Sequence, residues 1–97
     1  MPTYIVLGKF TQEGIENIKD SPTRLAQAHK LAESFGGKIT AFYYTMGQYD
    51  FVSISEGMSL DDALKILLIL GKGGAIRTET LIAFPADKAA KLIGELP

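Results

Sequence analysis

Asp50 and Tyr49 are the residues of this sequence whose types and position could most directly do chemistry. They stand side by side where a strand begins after a short turn. A carboxylate there could act as a general base, and the phenol could donate a hydrogen bond to the same ligand. The structural alternative is that Asp50 accepts backbone N–H bonds and fixes the turn. The sequence is compatible with both roles.

Arg77 and Glu79 form a second polar pair. They lie two residues apart in an apolar and β-branched stretch, so their side chains share one face of a strand. In a cavity, Arg77 could hold a ligand carboxylate in a bidentate fork. The alternative is a cross-strand ion pair at a solvated or dimer-facing edge.

His29 is the one histidine of the chain. Its imidazole could transfer protons near neutral pH, but it also suits a surface helical pair with Glu33, four residues on. The chain has no cysteine, and a lone histidine without cysteines argues against a zinc site. We expect no metal and no cofactor.

Composition excludes several classes of protein. The 97 residues are 46% hydrophobic and 22% charged, with a formal net charge of -1. This is globular rather than disordered composition, and it lacks the basic surplus of a nucleic-acid-binding protein. The most apolar stretch, residues 63–70, is too short to span a membrane. Without a leader pattern at the amino terminus, we expect a single cytoplasmic domain over residues 1–97, with no membrane or nucleic-acid partner.

The order of the predicted elements indicates the fold. Strands are predicted at residues 3–10, 38–46, 50–56 and 75–84. Helices are predicted at residues 11–19, from an N-cap at Ser21 to Phe35, from an N-cap at Ser59 to about Leu70, and over a tail at residues 86–96. This β-α-β-β-α-β order predicts an α+β, ferredoxin-like fold, with a four-stranded antiparallel sheet, both helices on one face and an extra C-terminal helix. A compact chain of this length would have a radius of gyration of roughly 13 Å.

Both faces of the predicted hairpin are apolar. With a two-residue loop at Gly47 and Gln48, one face carries Phe42, Tyr44, Met46, Tyr49 and Phe51, and the other carries Ile39, Ala41, Tyr43, Val52 and Ile54. We expect the helices to cover the aliphatic face and the aromatic face to pack on a second copy of the chain, because monomers rarely expose so large an apolar patch. The alternative is that the tail helix covers that face.

Five segments together resemble the GYD domain family. They read YIVLGKFT at residues 4–11, GI with IK at 14–15 and 18–19, SPTR at 21–24, TMGQYDFV at 45–52 and IRTETL at 76–81. The glycine, tyrosine and aspartate of the family name correspond to Gly47, Tyr49 and Asp50, with Gln48 interposed. The resemblance implies a relation to dimeric α/β barrels, whose members pair their sheets.

Three hypotheses for function follow. The first is a homodimeric, or larger, module that binds a small apolar or aromatic metabolite between paired sheets, through Tyr44, Tyr49, Phe51, Arg77 and Glu79. The second is a cofactor-independent oxygenase or isomerase in which Asp50, Tyr49 or His29 transfers protons. The third is a purely structural oligomerisation domain with a filled interior.

Overall fold

Four strands pair in one antiparallel sheet in the computed structural model, which describes residues 2–97. The strands are β1 (Thr3–Phe10), β2 (Lys38–Tyr44), β3 (Phe51–Glu56) and β4 (Ile76–Ala83). Their order across the sheet is β2-β3-β1-β4. This is the predicted α+β, ferredoxin-like arrangement. Residue 1 of the predicted domain lies outside the described residues.

The helices follow the predicted order. They are α1 (Gln12–Glu16), α2 (Ser21–Ser34), α3 (Leu60–Lys72) and α4 (Ala86–Gly94), with a 3₁₀ turn at Ile18–Asp20 before α2. The hydroxyl of Ser59 accepts the backbone N–H of Asp62 at 3.2 Å, which confirms the predicted N-cap. A side-chain oxygen at this position satisfies a backbone donor that has no partner inside the helix.

Ser21 does not cap α2, contrary to the prediction. It lies inside the helix and is buried, and its hydroxyl hydrogen-bonds the hydroxyl of Tyr44 at 3.0 Å. The 3₁₀ turn leads directly into α2, so Asp20 takes the flanking position without a side-chain cap. Ser21 therefore joins α2 to the end of β2.

The hairpin pairs in the predicted register. Tyr44 lies opposite Phe51, and Phe42 lies opposite Ser53. Both strands are shorter than predicted, since residues 45–50 form the connection. A bulge between Ile39 and Ala41 shifts the pairing. Because a bulge changes the alternation of side chains, Ile39 lies on the same face as Phe42 and not with Ala41.

The helices cover the aromatic face of the sheet, and the opposite prediction was wrong. Phe51 is 5% exposed and lies beneath α2 and α3 with Phe42. A methyl group at Gly8, the residue paired with Phe51 across β1 and β3, would overlap the Phe51 ring. Glycine at this position thus makes room for an aromatic ring on the inner face, which is the face beneath α2 and α3.

The other side of the sheet, which we call the open face, is largely aliphatic. Strand pairing places these side chains next to one another on it: Ile5, Leu7, Ala41, Tyr43, Val52, Ile54 and Leu81. Tyr43 is 62% exposed and Leu81 is 44% exposed. No helix among residues 2–97 covers this face.

The buried core lies toward one end of the space beneath the helices. Tyr4, Ala32, Met58, Ala63 and Ile66 form its closed cluster. The Tyr4 hydroxyl donates a hydrogen bond to the carbonyl of Met58 at 3.2 Å, and burial raises the pKa of this phenol. A buried tyrosine needs such a partner, so Tyr4 ties β1 to the segment before α3.

The tail helix does not fold over the sheet, which rules out that alternative in this chain. Every side chain of α4 except Ala89 is exposed. The molecule extends 53 Å along its longest axis and 18 Å along its shortest, with a radius of gyration of 14.8 Å. The chain is therefore more extended than the roughly 13 Å expected for its length.

Candidate functional site

A large cavity lies between the inner face and helices α2 and α3. This cavity has a volume of about 560 Å³, within the range of roughly 300–1,000 Å³ that is typical of small-molecule sites. Its floor is the inner face of the sheet, and its walls come from α2 and α3. It lies within one chain. The predicted ligand space between paired sheets involves a second copy of the chain and stays a prediction.

Small hydroxyl side chains on β3 and β4 create much of this room. Ser53 and Ser55 lie on the inner face of β3, 8% and 6% exposed, and Thr78 and Thr80 complete the floor on β4. A strand covered by helices ordinarily turns its large apolar side chains inward. In β3 the aliphatic residues Val52 and Ile54 point the other way, to the open face. This inverted alternation leaves space beneath the helices.

Aromatic rings form one wall of the cavity. Phe51 stacks on Phe42, with ring centroids 5.2 Å apart and an interplanar angle of 19°, and lies 5.8 Å from Phe10. Stacked and tilted pairs at these separations attract one another beyond their burial alone. The rings give the cavity a flat, rigid apolar side.

Arg24 on α2 is the charged residue of the cavity lining. Its Nη1 atom is buried without a hydrogen-bond partner. Its Nη2 atom lies 4.0 Å from Asp20 Oδ2, a distant ion pair whose side chains are 33% and 70% exposed. Because an unpaired buried donor loses its bonds to water without replacement, this guanidinium favours an anionic partner in the cavity.

The cavity is too large to be empty and sealed. At about 24 cal/mol per Å³ of void, its 560 Å³ would cost about 13 kcal/mol. That figure matches the whole net stability of a small domain, about 5–15 kcal/mol. The space is partly open to solvent, so it holds water or another molecule.

A separate polar group lies at the end of the sheet on the open side. The Tyr49 hydroxyl donates a hydrogen bond to Glu79 Oε1 at 2.6 Å. The Lys9 ammonium lies 5.5 Å from the centre of the Tyr49 ring, a distance suited to a cation–π contact. The hydrogen bond to the Glu79 carboxylate, with some desolvation and the charge of that carboxylate, raises the pKa of Tyr49.

Arg77 does not pair with Glu79. Its Nη1 donates to the carbonyls of Ile76 at 2.9 Å and of Gly71 at 3.3 Å. Gly71 belongs to the last turn of α3, where carbonyls lack partners inside the helix and favour a cation. Arg77 therefore fastens the end of α3 to β4.

Asp50 takes the structural role weighed from the sequence. Its Oδ2 accepts the backbone N–H of Phe10 at 2.9 Å, and its own N–H donates to the carbonyl of Gly8 at 2.8 Å. These bonds attach the hairpin connection to the end of β1. His29 is half-buried on α2 and, like Asp50, does not line the cavity.

The five predicted ligand residues lie in three places, with Arg77 alone at the end of α3. Phe51 lines the cavity, and Tyr44 lies beside it, bonded to Ser21. Tyr49 and Glu79 form the polar group on the open side. Their binding of a ligand stays a prediction. Within residues 2–97, no group of three or more His, Cys, Asp or Glu side chains is arranged to hold a metal ion.

Sequence reasoning missed Arg24 and the hydroxyl floor of the cavity. One signal was available in β3, where Val52 and Ile54 alternate with Ser53 and Ser55. That alternation shows which residues share a face, but it does not say which face the helices cover. Arg24 belongs to the SPTR segment of the family resemblance, but nothing in the sequence marked it as a ligand-binding residue.

The chain was compared with known families and proteins. The family model described as the GYD domain matches residues 4–93. The chain belongs to the GYD domain family. A curated relative from Thermus thermophilus is 36% identical over 94 residues, which cover 95% of this GYD chain and 99% of the relative. That relative is named glutamine synthetase and cystathionine beta-lyase binding protein.

Two solved structures resemble the GYD chain in fold. A crystal structure of an FFRP protein superimposes with a TM-score of 0.61 at 21% identity, covering 87% of this chain and all of the other. A crystal structure of a protein from Thermus thermophilus has a TM-score of 0.53 at 24% identity and covers 89% and 96% of the two chains. None of the helices formed by residues 2–97 has the length and apolar character needed to cross a bilayer.

Proposed function

We propose that this chain is a homodimeric protein-binding module that docks on an enzyme of amino-acid metabolism. The observation that carries the proposal is the relative named for binding glutamine synthetase and cystathionine beta-lyase, which is 36% identical over nearly the full length of both chains. The small size of the chain suits an adaptor.

The open face supports self-association. Its aliphatic side chains are left uncovered by α4, and Tyr43 and Leu81 remain 62% and 44% exposed. A second copy related by a two-fold axis would bury this aliphatic area between two packed sheets. The Tyr49–Glu79 pair and Lys9 would lie at the polar rim of the interface.

A second apolar surface supports binding of a different protein. Leu60, Leu64 and Leu68 follow one another at intervals of four residues along α3, and they are 56%, 57% and 63% exposed. Residues at this spacing form one stripe on a helix. The stripe is on the solvent side of α3, so it stays accessible when two sheets pair.

The proposal is tested with purified proteins. This chain would be mixed with the glutamine synthetase and the cystathionine beta-lyase of its own organism and analysed by sedimentation velocity. We expect it to co-sediment with at least one of them and not with an unrelated enzyme of similar size. Leu64→Asp should remove the complex, and Leu81→Asp should disrupt the dimer. Functional complexes ordinarily have dissociation constants well below about 100 μM. Absence of any complex at about 100 μM of each protein would therefore contradict the proposal.

The other hypotheses from the sequence stay predictions. Small-molecule binding is favoured by the cavity beneath α2 and α3 and not by the open face. Proton transfer by Asp50, Tyr49 or His29 gains no support from their separate positions. A purely structural oligomerisation domain would show self-association without the enzyme complexes. The cytoplasmic location belongs to the same proposal, since the enzymes named for the relative are metabolic.

A further inference from the structure

We propose that the cavity beneath α2 and α3 binds one apolar monocarboxylate, with the carboxylate on Arg24 and the hydrocarbon part against the inner face of the sheet. This inference is independent of the proposed docking on enzymes. It adds a ligand site to a chain whose proposed function needs only its outer surfaces.

Neither a second copy on the open face nor helix α4 fills the cavity. Its 560 Å³ lie on the inner side of the sheet, whereas the surface suited to a second copy is the open face. Dimerisation therefore leaves the cavity unfilled. Helix α4 does not reach it either, because no α4 residue belongs to the lining. A small molecule is the occupant that fits such a space within one chain.

The cavity lining is mostly apolar. It includes the rings of Phe42 and Phe51 and aliphatic residues of both helices, among them Leu31, Ile66 and Leu70. Such walls bind apolar groups by excluding water, at about a fourfold gain in affinity for each buried methylene. The hydroxyls on the floor accommodate retained water or an oxygen substituent of the ligand.

The Arg24 guanidinium supplies the charge of the cavity, since Arg24 is the sole charged residue among those that line it. Its Nη1 atom is buried without a hydrogen-bond partner. The Asp20 carboxylate lies 4.0 Å from Arg24 Nη2 and its side chain is 70% exposed, so it neutralises the guanidinium charge only weakly. One guanidinium matches one carboxylate, which accepts two parallel N–H bonds. A phosphate would call for further cationic or backbone donors, so a monocarboxylate fits this lining better.

The test uses the full-length protein and three probes, octanoate, decanoate and 1-decanol, each below its aggregation limit. Isothermal titration calorimetry should give one molecule per chain. Decanoate should bind about 15-fold more tightly than octanoate, because it buries two more methylenes. It should also bind about 10- to 100-fold more tightly than 1-decanol, which lacks the charge-assisted bonds. More than one molecule per chain, or no dependence on chain length, would mean surface adsorption and overturn the proposal.

Substitutions locate the site. Arg24→Gln should weaken decanoate by about 10- to 100-fold and leave 1-decanol within about twofold. Lys30→Gln removes an exposed charge from the same helix and should change neither. Ser53→Leu, which fills the floor, should weaken all three probes, with circular dichroism reporting whether this variant folds. If Arg24→Gln binds decanoate like the unmodified chain, or if decanoate does not bind at about 1 mM, the proposal is wrong.

Discussion

Single residues decide which side of the sheet carries its aromatic rings. Gly8 lies beneath the ring of Phe51, so that the central strands accept a large side chain on the inner face. Asp50 and Arg77 hold backbone groups at the ends of β1 and α3, while their predicted catalytic or ligand-binding roles stay predictions. At the scale of single residues, these two polar side chains form hydrogen bonds to the backbone that stabilise the fold.

Gly8→Ala tests the close approach of Phe51. The added methyl would overlap a ring that is already stacked on Phe42, so we expect a loss of about 1–3 kcal/mol in the free energy of unfolding. Urea denaturation measures it. Gly71→Ala is the matched control, because its methyl would meet nothing within 4 Å and alanine favours the helix by up to about 1 kcal/mol. Equal effects of both variants would contradict this account.

The Tyr49–Glu79 hydrogen bond predicts a pH dependence. The pKa of Tyr49 is raised above its ordinary value of about 10, because the Glu79 carboxylate bonds the protonated phenol. A folded-state pKa above the unfolded one contributes stability below about pH 10, and that contribution is lost as the pH rises through the folded-state value. Glu79→Gln should lower the pKa of Tyr49 toward about 10. An NMR titration of the tyrosine rings measures this, with Tyr49→Phe assigning the signal, and an unchanged pKa would count against the bond.

At the scale of elements, β3 determines both surfaces of the sheet. Its register with β2 could be predicted, because Tyr44 and Phe51 flank a short turn and alternate regularly with their neighbours. Which face the helices cover could not be predicted, since both faces are apolar and the choice depends on how Gly8 and Phe51 meet across two strands. The cavity could not be predicted from the sequence either, because its volume depends on the distance between the helices and the sheet. The alternation of Ser53 and Ser55 with Val52 and Ile54 was visible in the sequence, but it did not identify the serines as the floor of a cavity.

Helix α4 is the element that contributes least to the fold of its own chain. All of its side chains except Ala89 are exposed, so removal of residues 86–97 should change the free energy of unfolding by less than about 1 kcal/mol, as for surface changes generally. Thermal and urea unfolding at low protein concentration measure this. A loss of more than about 2 kcal/mol would show that α4 packs on the sheet after all.

The whole molecule presents two apolar surfaces, and they should respond differently to an added charge. Leu81→Asp places a carboxylate on the open face, where a paired sheet would bury it, so we expect dimerisation to weaken by about 30-fold or more. Leu64→Asp on α3 should leave the dimer intact. Light scattering after size-exclusion chromatography gives the mass of each. Phe51→Asp, by contrast, should unfold the chain, because Phe51 is 5% exposed.

A single-chain mass for the unmodified protein at about 100 μM would contradict the dimer and leave the open face to another partner. The ligand cavity would survive that result, because it lies on the opposite side of the sheet and is built within one chain. Dimerisation through the open face and ligand binding on the inner face are therefore independent hypotheses. Light scattering tests the first and calorimetry tests the second.

The bulge between Ile39 and Ala41 has a consequence for the outer border of the sheet. β2 is an edge strand, and an uninterrupted edge offers a row of free amide and carbonyl groups to any passing strand. The extra residue breaks that row in its middle, and Lys38 adds a charge at its start. Such interruptions discourage one molecule from adding its strand to the next and growing into a fibril. The β2 edge of this sheet, whose open face carries much aliphatic surface, is thereby protected from polymerisation.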